Sequence, residues 1–294
     1  MPTYSPADAA IEGIRITRER PWAVAAWAVL ALVVIIASGP TLGLMESANL
    51  AKDPVAAQQI LTKLPPYAVL ILPLGLIFQS VMVCAVYRAV LEPQTLSRGY
   101  LKLGRQELRM VLLSLMLAFI MIGTLVFLQM VEEVVVGAAH GLAGSVADIL
   151  EGATFSISLC VLTWIGVRLS LAGPRVFVTG DMNLARAWRL TRGHFWTLFG
   201  TYALALCLIV VIWLLAYLCF LSASAAVILP SGGALSDVVH MFEPSSASIK
   251  SYLTPAMLIY QGFAAILNAV ICAMAFSPQA VAYAALGRSA DTLV

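Results

Sequence analysis

Long uncharged runs of apolar residues alternate with short charged segments along the 294-residue chain. A helix needs about 20 mostly apolar residues to cross a hydrocarbon core about 30 Å thick. Six runs reach that length, approximately Trp22 to Leu44, Tyr67 to Tyr87, Met110 to Met130, Gly152 to Leu171, Phe195 to Leu221 and Ala256 to Phe276. Their apolar character is continuous rather than alternating, which favours helices over the strands of a barrel. We therefore predict an all-α, polytopic membrane protein with six transmembrane helices in a single membrane domain, residues 1–294.

The composition supports this interpretation and excludes several other classes. Hydrophobic residues make up 61% of the chain and charged residues only 11%, whereas a soluble domain has about 25% charged residues. The net charge of +2 is too small for a strongly basic nucleic-acid-binding protein, so no nucleic-acid partner is expected.

Lys and Arg are distributed unevenly between alternate segments. Basic residues concentrate on the cytoplasmic side of multispanning proteins, whereas Asp and Glu have little influence. If both termini are cytoplasmic, fourteen of the 17 basic residues fall in inner segments, and only Lys52, Lys63 and Lys250 fall in outer loops. The asymmetry predicts a multi-pass protein with both termini in the cytoplasm.

Three similar basic segments precede spans one, three and five. They are Ile14-Arg15-Ile16-Thr17-Arg18, Leu101-Lys102-Leu103-Gly104-Arg105 and Trp188-Arg189-Leu190-Thr191-Arg192, and successive copies are 87 residues apart. The spacing predicts three parallel repeats, residues 5–90, 92–176 and 179–276, each an inner interfacial helix followed by a hairpin of two spans. A chance match of five loosely defined positions is the alternative.

Each inner helix has a predicted start and a predicted basic face. Cap-like residues stand at Ser5-Pro6, Glu92-Pro93 and Thr179-Gly180-Asp181, and Ser277-Pro278 suggests a shorter fourth helix after span six. On a helical wheel, apolar residues lie opposite pairs of basic residues. These candidate contact residues are Arg15, Arg18, Lys102, Arg105, Arg189 and Arg192. They either bind acidic lipid head groups, a phosphorylated ligand or a partner, or only fix the topology.

No charged residue lies near the centre of a predicted span. Ion-coupled transporters usually keep ionisable residues there, so ion coupling is disfavoured. Arg88 and Arg168 lie near span ends, from where their side chains can extend to the head groups. Neutral polar residues within the spans are expected to form hydrogen bonds between helices or to line a polar path. They are Gln79, Ser80, Ser114, Thr124, Ser156, Ser158, Thr163, Thr201, Gln261 and Asn268.

The sequence offers little chemistry for catalysis. The cysteines Cys84, Cys160, Cys207, Cys219 and Cys272 lie in predicted spans without metal-ligand spacing and are expected to be buried apolar side chains. His140 and His240 have carboxylates near them in sequence, which is too little to predict a metal site. Phosphate-binding, dinucleotide-binding, G-x-S-x-G and H-E-x-x-H motifs are absent from the sequence. We predict no catalytic residue, no cofactor, no metal and no enzymatic activity.

Two stretches beside spans four and five resemble the signature segment of a bacterial membrane-protein family. They are Arg168-Leu169-Ser170-Leu171-Ala172-Gly173-Pro174 and Ala187-Trp188-Arg189-Leu190-Thr191-Arg192-Gly193-His194-Phe195-Trp196. The family includes the six-helix membrane domain fused ahead of some glycerophosphodiester phosphodiesterases, and stand-alone members of unknown function. The signature motif comprises Arg168, Pro174, Trp188, Thr191, Gly193 and Trp196. The family's acidic residue after the Pro is displaced here to Asp181, and Pro174 is expected to end span four.

The resemblance implies a location in the bacterial inner membrane. It implies no hydrolase activity, because the sequence given contains no soluble phosphodiesterase barrel. We expect a non-enzymatic envelope protein that contacts membrane lipids, especially anionic phospholipids, or scaffolds a complex with a membrane-protein partner. The alternative is a permease or flippase for a lipid-like or small amphipathic substrate without ion coupling.

Overall fold

The computed structural model describes residues 5–50, 58–60, 62, 64, 66–93, 98–139, 144–228 and 253–291, and these contain helices, turns and loops but no strand. The helices are α1 (Pro6–Glu19), α2 (Pro21–Leu50), α3 (Ile71–Leu91), α4 (Arg105–Ala139), α5 (Gly144–Leu169), α6 (Ala172–Thr179), α7 (Leu184–Leu190), α8 (Phe195–Ile228) and α9 (Pro255–Asp291). Short 3₁₀ helices occupy Pro66–Leu70 and Arg98–Tyr100. The predicted all-α class is confirmed.

Six helices are long and apolar enough to cross a membrane. They are α2, α3, α4, α5, α8 and α9, and each coincides with one predicted span. The most apolar window of each has a mean hydropathy between 1.7 and 3.0. The length and composition of these helices indicate a multi-pass membrane protein.

The protein core lies around the first, second and sixth spans. In their most apolar windows 33%, 39% and 39% of residues are buried, against 6% in spans three and five. In α3 the ten consecutive residues from Ser80 to Ala89 are all buried, so this half of the helix is covered on every side. Spans three and five therefore leave most of their surface uncovered by the rest of the described chain.

Helix α1 begins as predicted and packs its small residues into the core. The Ser5 hydroxyl accepts a hydrogen bond from the Asp8 backbone N–H at 3.4 Å, and Pro6 is the first helical residue. The buried face consists of Ala9, Ala10, Gly13 and Ile16, whereas Arg15 and Arg18 are exposed. The helix packs against α9, α8 and α2, so its apolar face is covered by protein.

The predicted inner helix of the second unit is wrong over its described residues. Arg98–Tyr100 is a 3₁₀ turn with Gly99 at φ 70°, and residues 101–104 are not helical. Tertiary hydrogen bonds hold this segment, because the Trp27 Nε1–H donates to the Gly99 carbonyl at 2.7 Å and Arg88 Nη1 donates to the Tyr100 carbonyl at 2.9 Å. Lys102 thus lies on an extended segment and not on a helix.

In the third unit, the inner helix begins later than predicted. Helix α7 starts at Leu184, where the Asn183 side chain accepts a hydrogen bond from the Arg186 N–H. Asp181 lies outside α7 and interacts with Arg175. Because the three inner segments have different secondary structure, the threefold repeat stays a prediction that rests on the sequence spacing.

The predicted roles of two prolines are also wrong. Helix α5 ends at Leu169 without Pro174, which is the third residue of the next helix, α6. A proline in a first turn removes no intrahelical hydrogen bond, so α6 accommodates it. Pro278 does not begin a separate helix, because α9 continues through it to Asp291. The buried residues Ala280, Ala282 and Tyr283 after Pro278 anchor this extension to the core.

Candidate functional site

Six exposed basic residues form what we call the basic collar: Arg15, Arg18, Lys102, Arg105, Arg189 and Arg192. Each belongs to a segment that enters an odd-numbered span, so all six lie towards the same end of the helical bundle. Arg15 pairs with Glu12 at 3.6 Å and with Glu19 at 2.9 Å. The hydrogen bond from Arg15 lowers the pKa of Glu19. The other five form no ion pair with any residue that the structure describes.

Arg88 is buried instead of reaching the head groups. Its Nη2 forms an ion pair with Glu107, both side chains being at most 5% exposed, and also donates to Gln106 Oε1 at 3.0 Å. Its guanidinium carbon lies 5.6 Å from the centre of the Phe177 ring. The contacts join the end of span two to the start of span three and to α6, which indicates a structural role.

A second buried arginine fixes the turn between α6 and α7. Arg175 Nη1 donates to the Asn183 carbonyl and Nη2 donates to Asp181 Oδ2, each at 3.1 Å. Asp181 also lies 3.4 Å from Arg186 Nη1. The hydrogen bond from Arg175 is the main reason that the pKa of the Asp181 carboxyl is lowered. The acidic residue singled out by the sequence therefore positions the chain between the two short helices.

Arg168 packs against two tryptophans in an arrangement that we call the Trp-Arg-Trp clamp. Its guanidinium carbon is 5.7 Å from the Trp164 ring centre and 5.6 Å from the Trp188 ring centre. The two rings meet edge to face at 5.1 Å. The Thr191 hydroxyl donates to the Arg168 carbonyl at 3.1 Å. This bond ties the end of α7 to the end of span four and holds Trp188 against Arg168.

An apolar groove adjoins the clamp between spans four and five. It has a volume of about 510 Å³, and Trp164 belongs to both the clamp and the groove wall. We call it the aromatic groove, and it is lined by Leu159, Cys160, Val161, Thr163, Trp164, Phe195, Trp196 and Phe199. Gly193, at φ 89°, turns the chain from α7 into span five, a conformation that favours glycine. The turn brings Trp196 to the groove.

A separate cavity of about 280 Å³ lies between spans two, three, four and six. Its polar lining comes from Gln79, Tyr87, Ser114, Ser170 and Gln279. The Tyr87 hydroxyl donates to Gln279 Oε1 at 2.7 Å, and the Tyr202 hydroxyl donates to Ser170 Oγ at 2.8 Å. The lining therefore offers neutral hydrogen-bonding groups among apolar side chains.

The predicted surroundings of several polar residues and cysteines need correction. The hydroxyls of Thr124 and Ser156 donate to carbonyls four residues earlier in their own helices and not to another described helix. This bond is available inside any helix, so it satisfies a hydroxyl without a partner helix. Cys84 and Cys272 are buried as predicted. The other three cysteines, Cys160, Cys207 and Cys219, are exposed on the sparsely covered spans four and five.

Most of the signature motif lies at one place in the structure. Arg168, Trp188 and Thr191 form or support the clamp, and Gly193 and Trp196 lead into the groove. Pro174 is buried elsewhere, in α6. The sequence analysis did not single out Trp164, although its position four residues before Arg168 places both on one helical face. His140 and His240 lie outside the described residues.

Protein-family models, curated proteins and solved structures give no match to this chain. The resemblance carried by the signature motif therefore stays a prediction.

Proposed function

We propose that the protein is a non-enzymatic membrane protein of the bacterial inner membrane whose basic collar contacts anionic phospholipids. The exposed collar charges carry this proposal, since five of the six have no acidic partner among the described residues. Unpaired cations near an anionic leaflet each contribute about 1 kcal/mol of attraction. The asymmetry of Lys and Arg supports a cytoplasmic position for the collar and for both termini.

Replacing collar charges tests this function. The Arg189→Gln/Arg192→Gln variant and a variant with all six residues changed to Gln are reconstituted in phosphatidylcholine containing phosphatidylglycerol. The ratio of the two lipids that co-purify in mild detergent is then measured. We expect less phosphatidylglycerol with each lost pair, and a difference from the unaltered protein that shrinks at high salt because surface charges are screened.

Arg186→Gln is the matched control for the first variant. Arg186 is exposed on the same short helix as Arg189, but it lies 3.4 Å from Asp181, a carboxylate that it shares with Arg175. Its charge is therefore partly compensated, and its loss should change lipid retention less. Unchanged retention in a correctly oriented protein without all six charges would contradict the lipid-contact function. The collar would then be better explained as a docking surface for a membrane-protein partner.

The cavity between spans two, three, four and six favours a second candidate function. Its neutral polar lining suits a permease or flippase that moves a small amphipathic or lipid-like substrate without ion coupling. A flux assay in proteoliposomes should then show facilitated movement that Ser114→Trp blocks by filling the cavity. Equal flux in liposomes with and without the protein would count against this alternative.

A further inference from the structure

Arg168 differs from the two buried arginines in having no protein acceptor at two of its nitrogens. Its Nε and Nη1 atoms are buried and form no hydrogen bond with any residue in the described part of the chain. By contrast, Arg88 and Arg175 each donate to a carbonyl and to a carboxylate. A buried donor without a partner is costly, and a guanidinium has a rigid fork that matches carboxylate and phosphate oxygens. The unpartnered face of Arg168 thus suits an anionic oxygen ligand.

The surrounding tryptophans position this guanidinium. Trp164 and Trp188 lie within 5.7 Å of the guanidinium carbon, a distance at which cation–π attraction operates. The Thr191 bond to the Arg168 carbonyl fixes the segment that carries Trp188. Arg168 is therefore held in place by aromatic faces, which leave its charge without a counter-ion among the described residues.

The aromatic groove extends from the clamp towards the interior of the membrane. On span four the groove is lined by residues from Leu159 to Trp164, which cover about 8 Å along the helix axis. Arg168 lies about one turn beyond Trp164 in the same helix. The groove therefore begins about one helical turn from a cationic side chain. Its lining is almost wholly apolar, with Thr163 as the one hydroxyl.

We propose that the clamp and the groove together bind one anionic glycerophospholipid from the surrounding leaflet. The lipid phosphate pairs with the accessible edge of the partly exposed Arg168 guanidinium, and an acyl chain lies between spans four and five against Trp196 and Phe199. A free anion would use the clamp but not the apolar groove, so the combination specifies a lipid. The proposal rests on the proposed lipid contact of the protein, but it adds a defined site distinct from the basic collar.

Native mass spectrometry of protein released from phosphatidylcholine nanodiscs containing phosphatidylglycerol tests this site. We expect one phosphatidylglycerol molecule to stay bound at high salt, where collar contacts are screened. Arg168→Gln should lower its occupancy by about tenfold or more, because charge-assisted hydrogen bonds are lost. Thr163→Trp, which fills the groove and leaves Arg168 unchanged, should lower it similarly.

Two control variants separate the site from general effects. Leu206→Trp adds the same bulk at an exposed position of span five outside the groove, and Arg186→Gln removes a positive charge outside both the clamp and the collar. Both should keep the salt-resistant lipid. The thermal transition shows whether Arg168→Gln folds. If it does not fold, the test rests on comparing the occupancy of the salt-resistant lipid in Thr163→Trp with that in Leu206→Trp.

The outcomes distinguish this site from the proposed function. Loss of salt-sensitive phosphatidylglycerol in the collar variant, with unchanged salt-resistant lipid in Arg168→Gln and Thr163→Trp, would overturn the site and leave the collar function intact. Loss of the salt-resistant lipid in Arg168→Gln and Thr163→Trp, with unchanged salt-sensitive phosphatidylglycerol in the collar variant, would support the site and contradict the proposed collar function. Loss in only one of two folded site variants would contradict a single site that joins the clamp to the groove.

Discussion

Three arginines near the ends of the spans differ in what accepts their hydrogen bonds. Arg88 and Arg175 are each 3% exposed as side chains and are paired with acidic residues. Arg168 instead packs against two aromatic rings, and its buried Nε and Nη1 atoms have no acceptor among the described residues. Removing one partner of a buried pair leaves an uncompensated charge. We therefore assign Arg88 and Arg175 to stability, and we propose that Arg168 binds a ligand.

Replacing Glu107 with Gln should strongly destabilise the protein. The change leaves the buried Arg88 without its counter-charge, which typically costs about 3–5 kcal/mol. Thermal unfolding in detergent, followed by intrinsic fluorescence, measures the effect. Glu19→Gln is the control, because its pair with Arg15 is exposed and should matter little. A Glu107→Gln transition as high as that of Glu19→Gln would contradict the structural role of Arg88.

The turn between α6 and α7 should be sensitive to acid through Asp181. The pKa of Asp181 is lowered in the folded protein by Arg175, so its stabilising effect is present above the unfolded pKa and is lost as the pH falls through the folded pKa. The difference in melting temperature between the unaltered protein and Asp181→Asn should therefore shrink towards zero as the medium is acidified. A difference that stays constant into strongly acidic medium would show that the carboxylate charge is not what stabilises this turn.

The exposure of Arg15 and Arg18 could be predicted from a helical wheel, whereas the clamp could not. Arg15 and Arg18 are on the exposed side of α1 because the opposite face holds Ala9, Ala10 and Gly13. The clamp depends on Trp188, which is 24 residues away from Trp164 in sequence and is brought to it by the turn between α6 and α7. No periodic pattern encodes such a contact between separate helices.

At the scale of the elements, the close contact between α1 and α9 determines the position and orientation of the N-terminal helix. A Cβ atom at Gly13 would lie 2.7 Å from the Met274 backbone nitrogen and 2.9 Å from the Ala273 carbonyl carbon. These neighbours are backbone atoms of a long helix, so they cannot move aside as a side chain could. The basic face of α1 is thereby held towards the outside of the bundle.

Gly13→Ala should destabilise the protein by separating α1 from α9. Overpacking of this kind costs about 1–3 kcal/mol. Gly262→Ala is a matched control in α9, since a Cβ there would meet nothing within 4 Å, and it should leave stability unchanged or slightly higher because alanine favours helix. Thermal unfolding of the two variants should therefore give shifts of different size, and equal shifts would contradict the close helix contact.

The sequence predicted the spans better than the inner segments for a physical reason. Continuous apolar character over about 20 residues specifies a membrane helix by itself. The segment around Gly99 and Tyr100 instead takes its conformation from two hydrogen bonds to other parts of the chain. The donors are Trp27, 72 residues before Gly99, and Arg88, 12 residues before Tyr100. The conformation of residues 98–100 is therefore fixed by tertiary hydrogen bonds, which local sequence signals do not encode.

At the scale of the whole molecule, the proposed orientation places all segments that enter odd-numbered spans in the cytoplasm. A cysteine at Ala7 should react with a membrane-impermeant maleimide only after the cells are opened. One at Gln58 should react in intact cells. Both positions are exposed, and the comparison is made in a background in which the native cysteines are replaced. Labelling of position 7 in intact cells would reverse the proposed orientation and place the collar outside.

Spans three and five are the least buried of the six, and the groove opens beside span five. Exposed apolar surface of this extent is normal for a protein surrounded by lipid tails, because the tails are as apolar as the side chains they cover. We therefore propose two kinds of lipid contact, an electrostatic one at the collar and an apolar one in the groove below the clamp.

A density map of the protein in nanodiscs that contain phosphatidylglycerol is the most direct test of lipid binding at this end of the molecule. We expect six helices across the disc with the collar at one head-group layer. We also expect elongated density between spans four and five that ends in a phosphate beside the Arg168 guanidinium. Spans four and five packed together over Trp196 and Phe199, with Arg168 bound to an acidic side chain, would contradict the proposed lipid site.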